Sequence, residues 1–340
     1  MNTTTILDQT LRKTADFIAS VQHDSGAIAW FKDGIVDPWD HVEAVMGLTV
    51  AGNYSAARKG LAWLQQTQTA EGMWHAAYRG TTVADDQRAE TNFVAYPATG
   101  LWHYYLATKD KDALAEFWPM IEAALNWVLN LQTEHGEVYW AVDKDKGVSE
   151  DALVTGCSSI YKSLECAIRI CDALGLSVER YQQARNQLGH AIRLKPERFD
   201  RTWASKSRYS MDWFYPVLTG VLRGSDADAR IDTRWDEFVI PDLGCKCVVE
   251  EPWVTMAETC ELIMACVAAD KHAQAAQLLE WLQPHQVEDG SWWTGYVYTD
   301  KVYWPDERPT WTAGAVLLAA DAVYRLTPAH KIFCEHLPEG

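Results

Sequence analysis

One spacing recurs four times along the chain and constrains its fold more than any composition does. Phe17-Ile18 precede Gln22, and Gly26 follows. Trp63-Leu64, Gln68 and Gly72 repeat the arrangement, as do Trp127-Val128, Gln132 and Gly136. Trp281-Leu282, Gln286 and Gly290 complete the set. In each unit the aromatic lies five residues before the Gln and the Gly four after it. Such self-similarity is the mark of a repeat architecture, in which each unit buries its apolar face against its neighbours. The 154 residues between Gln132 and Gln286 leave room for two decayed units. "VERYQQARNQLGHAIRL" and the segment around "RIDTRWDEFVIPDLG" fit there.

A second helical stretch follows each unit. These read "DPWDHVEAVMGLTVAG", "AETNFVAYPATGLWHYYLAT", "DALVTGCSSIYKSLECAIRICDALG", "SMDWFYPVLTGVLRG", "PWVTMAETCELIMACVAAD" and "PTWTAGAVLLAADAVYRLT". They are apolar on nearly all faces, which predicts burial. The preceding helices carry more Lys, Gln, Arg and Glu and read as amphipathic. About six outer helices alternating with as many inner ones make an all-α (α/α)6 toroid. No Pro-, Gly- or Ser-rich linker divides the chain, so residues 1–340 read as one domain. Short β-ribbons are expected in "GEVYWAVD" and "SWWTGYVYTDKVYW", where aromatics alternate with polar residues.

The Gln–Gly unit itself reads as a structural junction. The Gly permits a chain reversal, and the Gln amide can bond backbone groups left free at the helix end. Charge narrows the partners. A formal net charge of −17 repels nucleic acid and anionic membranes. The N-terminal stretch has no apolar run of spanning length, so a soluble cytoplasmic protein is expected. The eight cysteines are dispersed and reduced thiols are expected; Cys157, Cys166, Cys171, Cys260 and Cys266 fall in apolar helical stretches and read as core residues. Seventeen Trp and fourteen Tyr, many beside polar residues, point to a cavity with flat aromatic walls for a small-molecule substrate.

"KGLAWLQQTQTAEGMW" resembles the QW motif of squalene–hopene and oxidosqualene cyclases, and "EWLQPHQVEDGSW" is similar. The likeness implies a single toroid of the terpene-cyclase and protein-prenyltransferase β-subunit superfamily. It implies acid-initiated cyclisation, or a related transformation, of a prenyl-type substrate. In "TTVADDQRAETN", Val83 stands where the cyclase DxDD motif has its first Asp, while Asp85 and Asp86 remain. "PDLGCKC" offers Asp242, Cys245 and Cys247 at a spacing unlike the prenyltransferase zinc ligands. No metal and no cofactor are therefore expected.

Inner helices of a toroid start at one rim, so their first turns converge on a shared cavity. Carboxylates there are costly unless paired or used. The candidate catalytic groups are Asp40, Asp85, Asp86, Glu90, Asp212 and Glu258. Candidate binding residues in those turns are Trp39, His41, Asn92, Trp213, Tyr215, Trp253 and Trp311. Trp292, Trp293 and Tyr296 in "GSWWTGYVY" form a candidate aromatic lid. Asp37 also fits a plain helix cap ahead of Pro38. Asp85, Asp86 and Asp212 suit the terpene-cyclase reading as acids. The alternative is a carbohydrate-active toroid, with a pair drawn from Asp40, Glu90, Asp212 and Glu258 attacking a glycosidic bond between Trp platforms. A non-catalytic binding toroid is a third reading.

Overall fold

The computed structural model describes residues 3–338, with helices alternating between an outer and an inner ring. Outer α1 (Thr3–Val21) leads to inner α2 (Pro38–Val50). Outer α3 (Tyr54–Thr67) leads to the inner pair α4 (Thr91–Ala95) and α5 (Pro97–Thr108). Outer α6 (Lys111–Leu129) leads to inner α7 (Val154–Leu174), and α8 (Glu179–Leu194) to α9 (Ser210–Leu218). Outer α10 (Gly224–Phe238) leads to α11 (Met256–Ala268), and α12 (His272–Leu282) to α13 (Thr310–Tyr324). The toroid expected from the repeats is the observed fold. Both decayed units are outer helices, α8 and α10. The second inner stretch is not one helix. It breaks at Tyr96-Pro97, because Pro97 lacks the N–H that would continue the ladder.

Burial follows the sequence pattern. Every residue of α2 except Asp40 is buried. Outer α8 buries Tyr181, Ala184, Arg185, Leu188, Gly189 and Ala191, a single stripe at helical spacing. The inner ring closes on itself: α2 packs on α5, α5 on α7, α7 on α9, α9 on α11, α11 on α13 and α13 on α2. The last contact is backbone to backbone. A Cβ at Gly47 would stand 2.7 Å from the Gly314 Cα, and one at Gly314 would stand 2.6 Å from the Glu43 carbonyl oxygen.

The Gln–Gly units fasten the outer ring. Gln68 Nε2 donates to the Gly72 carbonyl at 2.9 Å and to the Met120 carbonyl of α6 at 2.9 Å. Gln22 bridges Gly26 and Ala56 of α3 in the same way, at 3.0 and 2.9 Å. Gln132 bridges Gly136 and Ala184 of α8, both at 3.0 Å. Gln286 reaches α1 at the Thr10 carbonyl (3.3 Å) and Thr14 Oγ1 (3.0 Å), which closes the ring. The sequence suggested that each Gln serves its own helix end. It instead ties its loop to the next outer helix. The Trp74 Nε1 donates to the Leu64 carbonyl at 2.9 Å.

Antiparallel ribbons fill the loops that enter the inner helices. β1 (Ala77–Arg79) pairs with β2 (Thr82–Asp85). β3 (Arg88–Glu90), β4 (Ala141–Asp143) and β5 (Gly147–Ser149) form a sheet that runs directly into α4. β6 (Val239–Ile240) pairs with β7 (Gly244–Cys245). β8 (Trp253–Thr255), β9 (Gly295–Val297) and β10 (Val302–Tyr303) form a second sheet that runs into α11. Counted around the inner ring, α4–α5 and α11 lie opposite one another, so the two sheets flank the same mouth from two sides. No helix among the described residues is long and apolar enough to cross a membrane.

Candidate active site

Asp37 sets the geometry of the α2 entrance. Its Oδ1 accepts the Asp40 N–H at 2.9 Å, and its Oδ2 accepts the Trp30 Nε1 proton at 2.6 Å. With Pro38 in the first turn, this is the cap expected of an Asp-Pro pair. The cap fixes Trp39 and Asp40 at the inner rim, where a cavity of about 260 Å³ opens. Trp39, Asp40 and Glu43 line it from α2. Asn92 and Phe93 face it from α4, and Thr155 and Met211 from α7 and α9. Ala257, Glu258 and Glu261 of α11 form the opposite wall, with Trp311 and Ala315 of α13.

The acidic groups differ in their surroundings. Burial raises the Asp40 carboxyl well above the usual range, and the neighbouring Asp37 charge raises it further. Burial also raises Asp37, but the bonds from Asp40 and Trp30 oppose it. Asp37 is therefore the partner that keeps the charge. Glu43 is raised to about 7 by burial, opposed by the Tyr96 hydroxyl, which donates to its Oε2 at 2.6 Å. Glu261 is raised well above the carboxylate range by burial and then by Glu43, while Tyr215 donates to its Oε1. Tyr96 also stacks on Trp39, with centroids 4.4 Å apart and planes 13° from parallel. A floor of two Tyr–Glu pairs thus lies one turn below the mouth.

Three buried polar atoms of residues that line the cavity have no hydrogen-bond partner within the protein: Asn92 Oδ1, Glu258 Oε2 and Trp311 Nε1. Buried polar atoms are nearly always hydrogen-bonded. The three comprise one donor and two acceptors on residues around one cavity.

The structure brings Asp40, Glu258, Trp39, Asn92 and Trp311 together at the cavity, with Tyr215 in its floor. The other candidates lie elsewhere. Asp85 is exposed at the end of β2, and Asp86, half-buried just beyond it, pairs with Lys144. A hairpin, not a helical turn, occupies that segment. Asp212 is not among the residues that line the cavity, although its neighbour Met211 is. Burial raises its pKa to about 6, opposed by the charges of Arg230 and Arg234 of α10, and its backbone carbonyl accepts from Arg230 at 3.1 Å. Trp213 is likewise a packing residue, stacked on Phe238 at 5.3 Å and donating to the Arg230 carbonyl. Glu90 is half-buried beside the cavity, accepting from Trp140 Nε1 at 3.2 Å, with Arg88 as its nearest cation.

His41 is structural. Its Nδ1 accepts the Ile28 N–H at 3.1 Å, its Nε2 donates to the Gly60 carbonyl at 3.0 Å, and burial lowers its pKa to about 4. Trp292 is also structural: it is fully buried and donates to Thr14 Oγ1 at 3.0 Å. Tyr296 and Trp253 belong to the rim sheet, and Trp293, just ahead of β9, stacks on Tyr303 of β10 at 4.7 Å. Glu261 was not read from the sequence, and Glu43, although in the first turn of an inner helix, was not among the candidate catalytic groups. Each lies three residues after a rim carboxylate, Glu258 or Asp40, and that spacing places both on one helix face. A wider surface depression of about 510 Å³ beside Gln132 includes Arg198, but that guanidinium is already engaged by Glu137 at 2.8 Å. No group of three or more His, Cys, Asp and Glu side chains among the described residues could hold a metal.

Comparison with known proteins corrects the terpene-cyclase resemblance. No family model matches the chain. The fold is similar to that of a glycosidase in complex with glucose, with a TM-score of 0.74 at 13% identity over 96% of this chain and 100% of that one. It is also similar to a D-mannose isomerase (TM-score 0.71, 16% identity, 95% and 97% covered). A GH63 mannosylglycerate hydrolase from Thermus thermophilus, in complex with glucose, gives 0.70 at 12% identity over 90% and 98%. At such identities these likenesses concern the fold alone. The sequence relative is more telling: the MMP endo-(1,4)-3-O-methyl-alpha-D-mannosidase of Mycolicibacterium hassiacum is 46% identical over 322 residues, 95% of this chain and 88% of its own. The Gln–Gly unit that suggested a cyclase docks neighbouring outer helices, and neither Gln68 nor Gly72 lines the cavity, so it marks the ring and not the chemistry. Neither terpene cyclisation nor prenyl transfer describes this protein: the chain belongs to the family of the MMP endo-(1,4)-3-O-methyl-alpha-D-mannosidase.

Proposed function

We propose that this protein hydrolyses an internal α-(1,4) linkage in a 3-O-methylated mannoside chain, with Asp40 as general acid and Glu258 as general base. The observation that carries the assignment is geometric. Asp40 and Glu258 open on one cavity from α2 and α11, and the Glu258 Oε2 has no hydrogen-bond partner within the protein. Inner helix α13 lies between those two helices in the ring. Carboxyls on non-neighbouring helices favour a gap wide enough for a water, the arrangement of an inverting hydrolase.

In the reaction Asp40 gives its proton to the glycosidic oxygen as the bond from that oxygen to the anomeric carbon breaks. Glu258 takes a proton from water as the water oxygen bonds to the anomeric carbon. Burial and the Asp37 charge keep Asp40 protonated for this task. Trp39, held by Tyr96, offers a flat apolar face to the sugar. Asn92 and Trp311 supply an acceptor and a donor for hydroxyls. The return of the Gln286 loop to α1 supports one domain over residues 1–340. Eight free cysteines, most of them buried, support a reducing, cytoplasmic setting.

The test is product analysis. The protein is incubated with α-(1,4)-linked 3-O-methylmannose oligosaccharides, and products are followed by mass spectrometry and proton NMR. Shorter oligosaccharides, released first as the β-anomer, are expected. Intact oligosaccharides together with conversion of free mannose to another sugar would overturn the proposal in favour of an isomerase.

A further inference from the structure

The cavity of about 260 Å³ is smaller than pockets that enclose drug-sized ligands, which begin near ~300 Å³. A polymer cut internally must therefore extend over the rim on at least one side. The rim beside Glu258 is built from aromatic residues. β8 enters α11 directly: Trp253, Val254 and Thr255 precede Met256, and Glu258 lies in the first helical turn. The Trp253 indole lies on the Gly295 backbone, where a Cβ would stand 2.2 Å from its Nε1. That Nε1 donates to the Trp304 carbonyl at 2.8 Å. The Trp304 N–H in turn donates to the Gly295 carbonyl at 3.0 Å.

Trp304 is thus held by its backbone at both N–H and C=O, while the residue remains 57% exposed. It is the one tryptophan among the exposed large apolar residues described. Its ring and that of Trp253 meet in a T-shape, at 5.2 Å between centroids and 72° between planes, so the two are not stacked face to face. The exposed part of the indole leaves apolar area in water that the apolar face of a ligand can cover. A fixed flat apolar face matches the C–H face of a pyranose, and an O-methyl group enlarges the apolar area it covers. The net charge of −17 admits a neutral glycan and disfavours an anionic partner.

We infer that Trp304, braced by Trp253, is an external subsite that stacks on an O-methylated mannose unit of the chain lying outside the cavity on the Glu258 side. This rests on the proposed hydrolase reading. The two are separated by kinetics on substrates of different length. Trp304→Ala and Trp304→Phe are compared with the unmodified protein on a long 3-O-methylated α-(1,4)-mannan and on the shortest oligosaccharide it cleaves. With Trp304→Ala, KM for the long chain is expected to rise roughly three- to tenfold, the scale of one aromatic stacking contact. The short substrate should be unaffected, kcat unchanged, and Phe should restore most of the loss. Equal KM on the long chain, or an equal loss on both substrates, would overturn the subsite. Should the unmodified protein cleave neither substrate, the hydrolase reading fails. Calorimetric binding of the long mannan then decides the subsite: weaker binding by Trp304→Ala retains it, and equal binding removes it.

Discussion

Asp37 accepts the Asp40 backbone N–H at 2.9 Å while its charge stands against the Asp40 carboxyl. One side chain thereby caps α2 and sets the protonation of its neighbour. The Asp37 charge is itself supported by the Trp30 indole at 2.6 Å. Asp37→Asn keeps the capping oxygen and removes the charge. The Asp40 pKa should then fall, since a like charge had raised it. A general acid works only while protonated, so activity is lost as pH rises through its pKa. The basic limb of the kcat/KM profile should therefore move to lower pH in Asp37→Asn. A basic limb that stays in place would remove Asp40 from the acid role.

Glu43 should make the fold less stable as pH rises. Its folded pKa of about 7 exceeds the unfolded value of 4.5. A raised pKa means the native state holds the proton longer, so its stabilising effect is complete below the unfolded pKa. That effect is lost as pH rises toward 7, by an amount on the order of 3 kcal/mol at most. Glu43→Gln keeps an acceptor for the Tyr96 hydroxyl and cannot ionise. Chemical denaturation of both proteins between pH 4 and about 8 should show the wild-type curve falling relative to Glu43→Gln. Parallel curves would show that the carboxyl titrates alike in both states.

The Gln–Gly units should govern stability and not turnover. Gly136 has φ of 106°, and a Cβ there would stand 2.3 Å from the Gln187 carbonyl oxygen of α8. Gly136→Ala adds left-handed strain to a backbone collision and should cost about 2–4 kcal/mol. Gln132→Ala loses two bonds, at 3.0 Å each, and should cost about 1–3 kcal/mol. Thermal melts measure both. The kcat of folded protein should be unchanged, because neither residue borders the cavity.

The ring was legible because its spacing is imposed by backbone contact. At Gly26, Gly72, Gly136 and Gly290 a Cβ would lie 2.1–2.5 Å from a carbonyl oxygen of the next outer helix, so another residue is excluded there. The same necessity made the motif a poor guide to chemistry: any ring docked this way needs it. At the site, Asp40, Glu258 and Trp311 were readable from their place in the opening turns. Glu43 and Glu261 lie one turn deeper, where the sequence shows only a carboxylate in an apolar helix. Their role depends on Tyr96 and Tyr215, brought from other helices by the fold. Asp85 and Asp86 were misplaced because a hairpin occupies the stretch before α4. Trp304 was hidden in a ribbon whose alternation says nothing about which ring is left exposed.

The contrast between Asp40 and Asp212 gives the sharpest test of the site. Both follow a rim residue that lines the cavity, Trp39 and Met211, and both have raised pKa values. On α9 the inward face is set by Met211 at the cavity and by Tyr215 and Leu218 at the small void beneath it, four and seven residues along the chain in helical register. Asp212 lies off that face, and the charges of Arg230 and Arg234 of α10 oppose the rise of its pKa. Asp40 alone is accessible on its helix, and it borders the cavity. Asp40→Asn and Glu258→Gln should each lower kcat at least about a hundredfold while leaving the melting temperature and oligosaccharide binding largely intact. Asp212→Asn should keep turnover within about threefold of wild type, since it removes no group that meets the sugar. Circular dichroism establishes that each variant is folded, and steady-state kinetics on the same oligosaccharide ranks them. A dead but folded Asp212→Asn beside an active Asp40→Asn would move the acid to the α9–α10 side and dismantle the assignment.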